Sequence, residues 1–579
     1  MLVCDLSRWI IGEGKLNTRL ENAAVGEGKV TLQKGGSVGF DTYFNSFSEA
    51  VFKQRTSLEK AIAFAEVEGA VRVEVYSSKR GENGVIDTLI CQKEDLNVEK
   101  RTVEVPFAFD DGSFVWCKIV ALSDTATVFG GGYATEQEKQ RRANLAVVIC
   151  TFKRESYVKS NVKALCEFAK RNAENVTVYV IDNGQTLTRE DVDGAVLVPN
   201  KNLGGSGGFT RGMIEAHNAG VHTHFLLMDD DISFNPEIVA RTMRFLEYAT
   251  SENVAVGGGM LREDEQEILY ELGGRWNGDR LCGFYSDLDL SEKENLLFDK
   301  PERPDYCAWW YCCMPIGVIV RHGLPLPLFI KNDDVEYGVR CQELEWTFLN
   351  GVGVYHSPFE AKYNASLEYY IRRNELISNC YTTKRSGFKY FWKLVRCVGI
   401  QLVQQRYFAI PYSVKGYDDF LKGADYLATL DAEKLNSDLR KGMPKTYSKA
   451  ELEDMGYDLT NIYKSKPRSK FLQTITLNGY LIPKFLCSKQ SREVRIIDST
   501  DCPPRDFFTS RKTLQYNPLS QTGFFTEEKF SKVIKAGFML VGKAFKMVVE
   551  YNRAKKSFVR KQKYLTSFEF WSKKLGIDD

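Results

Sequence analysis

The sequence predicts an α/β protein: a central parallel sheet with helices on it, an all-β region before it and a mostly helical region after it. Three observations carry this prediction. LAVVIC (145–150) and VTVYVID (176–182) are unbroken apolar runs, as strands buried on both faces require, and helix-spaced stretches alternate with them. Before about residue 140, short β-branched and aromatic runs are separated by Gly, Asn and Asp. Beyond about residue 365, apolar residues recur at helical spacing and strand signals are few. The domains expected are therefore 1–140, 141–375 and 376–579.

In the first region, KVTLQKGGSVGF, VRVEVYSS, TLICQKEDL, KRTVEVPFAF and VWCKIVALS read as strands of a β-sandwich or barrel. SLEKAIAFAEVEG reads as one interrupting helix, and Gly130-Gly131-Gly132 as the exit from the domain. In the second, the strand LAVVIC leads to the helix SYVKSNVKALCEFAKRN, with Val158, Val162, Leu165, Phe168 and Ala169 on one face. VTVYVID follows, then a glycine-rich loop, a helix over GMIEAHNAG and the strand THFLLMDDDI. Such alternation implies right-handed crossovers, with a site at the carboxyl edge of the sheet. In the third, SLEYYIRRNELISNCYTT, FWKLVRCVGIQLVQQRYFA and EKFSKVIKAGFMLVGKAFKMVVEYNRAKK read as helices, and 488–523, with Pro503-Pro504, as less regular.

Lys+Arg 78 against Asp+Glu 76 leaves a net charge of +2, so no nucleic-acid partner is expected. The opening MLVCDLSRWIIGEGKL lacks a signal-peptide pattern, so the 14 cysteines are expected as reduced thiols of a cytoplasmic protein. No run reaches the ~18 apolar residues of a membrane span, because Pro315 interrupts the longest, Trp309–Val320. From Tyr551 onward, eight Lys/Arg face three Asp/Glu, with Phe568, Phe570 and Trp571 among them. Two readings stay open for this tail: peripheral docking on anionic lipid at the inner face of the membrane, or a helical bundle or homo-oligomer interface.

The residues able to carry chemistry cluster in the middle. NLGGSGGFTRG (202–212) nearly spells two phosphate loops, but Thr210 stands where a dinucleotide fingerprint needs Gly, and Arg211-Gly212 where a P-loop needs Gly-Lys. Asp229-Asp230-Asp231 closes an apolar strand, so alternation puts Asp229 and Asp231 on one side, a hard-oxygen pair for a divalent metal. Acidic triplets also occur at plain strand-to-turn junctions. Asp333-Asp334 opens an expected helix, where helix capping competes with a catalytic base. His356 ends the strand-like GVGVYH and could complete an oxygen-rich shell, or simply pack. Trp309, Trp310 and Glu271 could offer sugar platforms and a hydroxyl partner, or belong to the core.

In order and spacing, VVICTFKR, VIDNG, the glycine stretch, DDD, WW, FIKNDD and the later His resemble family 2 glycosyltransferases of the GT-A fold. NLGGSGGFTRGM is similar to the galactofuranosyltransferases, in particular those that polymerise mycobacterial galactan. The resemblance implies a GT-A central domain and assigns Arg154, Asp182, Asn183, Asn202, Gly205 and Asp229 to the uridine diphosphate donor. It assigns Asp229, Asp231 and His356 to a Mn²⁺ or Mg²⁺ ion, Asp334 with Asp333 beside it to catalysis, and Trp309, Trp310 and Glu271 to the acceptor. The expected activity is metal-dependent, inverting transfer of galactofuranose from UDP-galactofuranose to a hydroxyl of a glycan or lipid-linked glycan, in cell-surface polysaccharide synthesis. Rhamnosyl or other family 2 transfer is the nearest alternative, and a non-catalytic carbohydrate-binding protein the distant one. NDD in place of an aromatic before the acidic pair, and the unusual WWYCCMP, bear on acceptor preference.

Overall fold

The computed structural model describes residues 4–172, 174–278, 281–300, 302–362, 364–465, 469–483, 485 and 493–577. They form two compact units, Met1–Pro325 with Asp334–Ser357 and Ser567–Asp579, and Leu326–Asp333 with Pro358–Thr566.

The first unit begins with one sheet of β1 (Cys4–Arg8), β2 (Arg19–Gly26), β3 (Lys29–Gly39), β4 (Lys60–Glu68), β5 (Val71–Gly81), β6 (Gly84–Asp95), β7 (Arg101–Ala108), β8 (Phe114–Ala121) and β9 (Thr125–Thr135). Its main path runs β6-β5-β8-β3-β9-β4-β7, and the end strands β6 and β7 lie against each other, so the sheet curls like a barrel. The short helix α1 (Glu49–Arg55) lies between β3 and β4. Two expectations fail here. The stretch expected as a helix is β4, paired on both sides by β9 and β7. Ala61, Ala63, Phe64, Ala65 and Val67 are all buried, so the strand shows no alternation, and pairing overrides the helix preference of its alanines. Gly130–Gly132 lie inside β9 rather than leaving the domain. A Cβ on Gly131 would sit 2.3 Å from the Trp9 ring and 2.3 Å from the Phe64 carbonyl oxygen.

The central sheet starts with β10 (Leu145–Thr151), β11 (Val176–Asp182), β12 (Val196–Pro199) and β13 (His224–Asp229), parallel in the order β12-β11-β10-β13. Helices α2 (Glu155–Asn172) and α3 (Gly204–Asn218) make the crossovers, and α4 (Glu237–Tyr248) follows β14 (Ile232–Ser233). Beyond β13 the sheet is mixed, not parallel: β20 (Tyr311–Pro315) runs antiparallel between β13 and β15 (Val254–Arg262). β16 (Ile268–Glu271) and β19 (Ser286–Asp289) extend the edge, and β17 (Gly274–Trp276) pairs with β18 (Leu281–Gly283). β21 (Glu345–His356) runs parallel to β15 and antiparallel to β14. Helices α5 (Gly317–His322) and α6 (Asp333–Arg340) lie between β20 and β21. Buried Arg241 on α4 ties the two sheets together, donating to the carbonyls of Phe44 (2.6 Å), Gly351 (3.1 Å) and Arg8.

The second unit is mostly helical: α7 (Leu367–Thr382), α8 (Gly387–Val403), α9 (Ile410–Leu421), α10 (Ala424–Thr429), α11 (Ala432–Arg440), α12 (Lys449–Asp454), α13 (Lys470–Ile475) and the 36-residue α14 (Phe530–Leu565). The stretch expected to be irregular carries part of a small sheet, β22 (Tyr447–Ser448), β25 (Thr522–Glu527), β24 (Lys512–Asn517) and β23 (Val494–Asp498) in that spatial order. These strands are too short for a periodicity to register. The last helix, α15 (Phe568–Leu575), belongs to the first unit. Its aromatics are not a lipid-facing set. Phe570 and Trp571 are buried, the Trp571 indole N–H donates to the Pro325 carbonyl at 2.9 Å, and Phe568 packs on His217 of α3.

Candidate active site

Register places the acidic groups before any side chain is considered. Thr151 of β10 pairs with Asp182 of β11, and Cys150 pairs with Asp229 of β13, so both aspartates end at the carboxyl edge. On the other side of the turn, Ile232 of β14 pairs with His356 of β21. The ligand atoms of Asp229, Asp231 and His356 consequently lie within 4.8 Å of one another, with His356 Nε2 3.3 Å from Asp231 Oδ1. Asp230, buried in the turn that follows β13, is bridged by Arg154 Nη1 (2.8 Å) to Asp231 (2.7 Å). Burial, and then the charge of Asp231, push the Asp229 carboxyl up to about 6. Carboxylates this close repel unless a cation lies between them. Two hard oxygen donors and one imidazole suit Mn²⁺ or Mg²⁺.

The glycine stretch is not a loop. It is the first half of α3, entered through Gly204 at φ +71°. A Cβ on Gly208 would lie 2.1 Å from Cys150 Sγ, and one on Gly212 would lie 2.1 Å from Val148 Cγ1. These glycines let the helix sit directly on β10. Thr210, where a dinucleotide fingerprint would need a third glycine, is buried and bonds back to the Ser206 carbonyl at 2.7 Å. Gly205 is partly exposed in the first turn of α3. Arg211 pairs with Glu215 one turn along at 2.6 Å.

The residues around this helix start hold it more than they offer themselves. Asp182 is 1 % exposed, and its two oxygens accept the backbone N–H groups of Gly184, Gln185, Thr186 and Leu187. Four donors fill a carboxylate's acceptor sites, so Asp182 shapes the turn instead of touching a nucleoside. Asn183 donates to the Gly204 carbonyl at 3.1 Å and accepts from Asn200 at 2.8 Å, tying β11 to α3. Asn202 Oδ1 accepts the Gly204 N–H at 3.2 Å. Sequence reasoning missed Asn200 and also Asn161 of α2, whose amide donates to the Asp230 and Ile232 carbonyls and fixes the acidic turn. Neither lies in a motif.

A second acidic cluster forms around Glu271 at the end of β16. The Tyr306 hydroxyl donates to Glu271 Oε1 at 3.3 Å. Burial first, and then the charge of Asp334 on α6, push the Glu271 carboxyl up to about 7. Tyr306, also missed, is buried, and Gly274 and Gly338 make room for it. A Cβ on either would come within 2.4 Å of the tyrosine side chain. Asp334 Oδ1 accepts the Val335 N–H at 2.8 Å, and Asp333 beside it is buried. Trp309 and Trp310 are not open platforms. Both are 5 % exposed; Trp309 packs edge-on against Phe209 and Tyr337, and the Trp310 indole donates to the Gly258 carbonyl at 2.9 Å. The packing alternative describes them: in the turn just before β20, Trp309 meets side chains of α3 and α6, and Trp310 meets the backbone of β15.

Residues 9–136 match the family model described as Galactofuranosyltransferase 2 N-terminal, and residues 142–375 match Glycosyltransferase like family 2. The chain is 28% identical over 470 residues to galactofuranosyltransferase GlfT2 of Mycobacterium tuberculosis, covering 74% of this chain and 71% of that one. With GlfT2 of Mycolicibacterium smegmatis the identity is 27% over 468 residues, covering 76% and 72%.

Proposed function

We propose that this chain, a glycosyltransferase built on a family 2 domain, transfers galactofuranose from UDP-galactofuranose to a hydroxyl of a glycan or lipid-linked glycan, inverting the anomeric centre. The observation that carries the reading is the pairing of two separate acidic clusters. One, Asp229, Asp231 and His356, suits a cation. The other, Glu271 with Asp334, suits an acceptor hydroxyl. The galactofuranosyltransferase relatives support the sugar.

Asp229, Asp231 and His356 would hold Mn²⁺ or Mg²⁺, which would neutralise the diphosphate as it leaves. The first turn of α3, around Gly205, would meet the same charge with the favourable end of the helix dipole. Arg154 balances Asp230 and Asp231, and Asn183 and Asn202 hold the helix start in place. Asp334 takes the proton from the acceptor hydroxyl, whose oxygen bonds to the anomeric carbon as the bond to the diphosphate oxygen breaks. One displacement gives inversion. Glu271, held by Tyr306, orients the acceptor.

A lipid-linked acceptor would be met at a membrane surface. Among the described residues no helix is long and apolar enough to cross a membrane. On α14, however, Ile534, Phe538, Val541, Phe545 and Val548 are exposed at spacings of four and three, with exposed Lys532, Lys535 and Lys546 on the same helix. Such a face suits anionic lipid.

The donor is tested by offering UDP-galactofuranose, UDP-galactopyranose and dTDP-rhamnose in turn with Mn²⁺. Transfer from UDP-galactofuranose is expected. Transfer from dTDP-rhamnose alone would overturn the donor assignment.

A further inference from the structure

The segment Leu326–Asp333 ends in the first residue of α6, so its backbone decides where that helix, and Asp334, begin. Its conformation is unusual. Phe329, Lys331 and Asn332 have φ of +75°, +66° and +67°, left-handed values that non-glycine residues seldom adopt, and a bulky one least of all. Three such residues within four positions do not persist unless their surroundings hold them.

The holding group is a pair of neighbouring side chains on α7. Asn374, fully buried, donates its amide to the carbonyls of Leu328 (3.2 Å), Ile330 (2.8 Å) and Lys331 (2.8 Å). Arg373, 2 % exposed, donates Nη2 to the same Leu328 carbonyl at 2.7 Å. Its Nε donates to Asn374 Oδ1 at 2.9 Å and its Nη1 to the Tyr369 hydroxyl at 3.0 Å. Tyr370 stacks on Phe329 with ring centroids 5.5 Å apart. These three carbonyls flank or belong to the left-handed residues, so the clamp grips the peptide groups that would turn if the segment relaxed.

We infer that Asn374, oriented by Arg373, is a positioning residue for glycosyl transfer: it fixes the strained segment that delivers Asp334 at the start of α6. The inference rests on the reading of Asp334 as the base. Asn374 touches no reacting atom. Its effect should therefore appear in turnover and not in donor binding, because an error of about 1 Å in a reacting group costs on the order of a hundredfold in rate.

The test compares Asp334→Asn, Asn374→Ala and the double variant Asn374→Ala/Lys331→Gly for kcat, UDP affinity and Tm. Asn374→Ala is expected to lower kcat by tenfold or more with UDP affinity within about twofold of the parent. Lys331→Gly in that background should recover several-fold of kcat, because glycine adopts the left-handed conformation without a clamp. Parental kcat in Asn374→Ala, a matching loss of UDP affinity, or no recovery in the double variant would each overturn the inference. Parental transfer by Asp334→Asn would instead overturn the base assignment beneath it. If Asn374→Ala does not fold, Asn332→Val, which opposes the left-handed φ from within the segment, is held to the same criterion of lowered kcat at unchanged UDP affinity.

Discussion

At the scale of single residues, burial decides which carboxyls carry charge. Glu271 would titrate near 4.5 in an unfolded chain and near 7 in the folded one, because it is buried and faces Asp334. Between those values the folded state keeps a proton that the unfolded state has released. Stability therefore falls as pH rises through that window, and the pH dependence vanishes below it, where both states are protonated. Glu271→Gln should accordingly raise Tm relative to the parent, with a difference that grows from pH 4.5 to 7 and then levels off. Melting curves with the same difference at pH 5 and 7.5 would contradict this. For the cation site, Mn²⁺ at a hundred times its Kd should stabilise the parent by about 2.7 kcal/mol, and Asp231→Ala should lose that response. An equal Mn²⁺ shift in both proteins would remove Asp231 from the ligand set. The acidic cluster was legible because an apolar strand ends at Asp229 with two more aspartates directly after it. Tyr306 and Asn374 were not, since their partners stand 35 and about 45 positions away in sequence.

At the scale of elements, α3 shows how one pattern serves two purposes. Its glycines were expected to form a ligand loop, but they allow close contact between helix and sheet. Gly208→Ala should destabilise the protein by about 1–3 kcal/mol by pushing a methyl into Cys150 Sγ. Adding Cys150→Ala should recover most of that loss. Urea midpoints in which Gly208→Ala equals the parent would refute the packing role. Strands buried on both faces, such as β10 and β11, were legible from their unbroken apolar runs. β4 was not: burial of both its faces removes the alternation and leaves an alanine-rich string that reads as a helix.

At the scale of the whole molecule, the exposed apolar face lies on the amphipathic helix α14 and not among the aromatics of the tail. Aromatics of α15 are buried, while the exposed apolar stripe lies upstream on α14. The protein should co-sediment with anionic vesicles at low salt, and a Phe538→Glu/Phe545→Glu variant should stay in the supernatant. Equal sedimentation of the two would exclude α14, and elution of the unbound protein as a dimer that the same substitutions dissolve would assign the stripe to a second copy. By itself the sequence determined the order of β, α/β and helical regions, the strands that frame the acidic edge, and the residue types able to hold a cation. Those follow from local periodicity and from side-chain alternation along a strand. Only the tertiary structure decided that Trp309 and Trp310 are core, that Asp182 is consumed by a turn, and that Glu271 is buried within reach of the Asp334 charge. Burial and long-range pairing set those outcomes, and neither is written in any short stretch of chain.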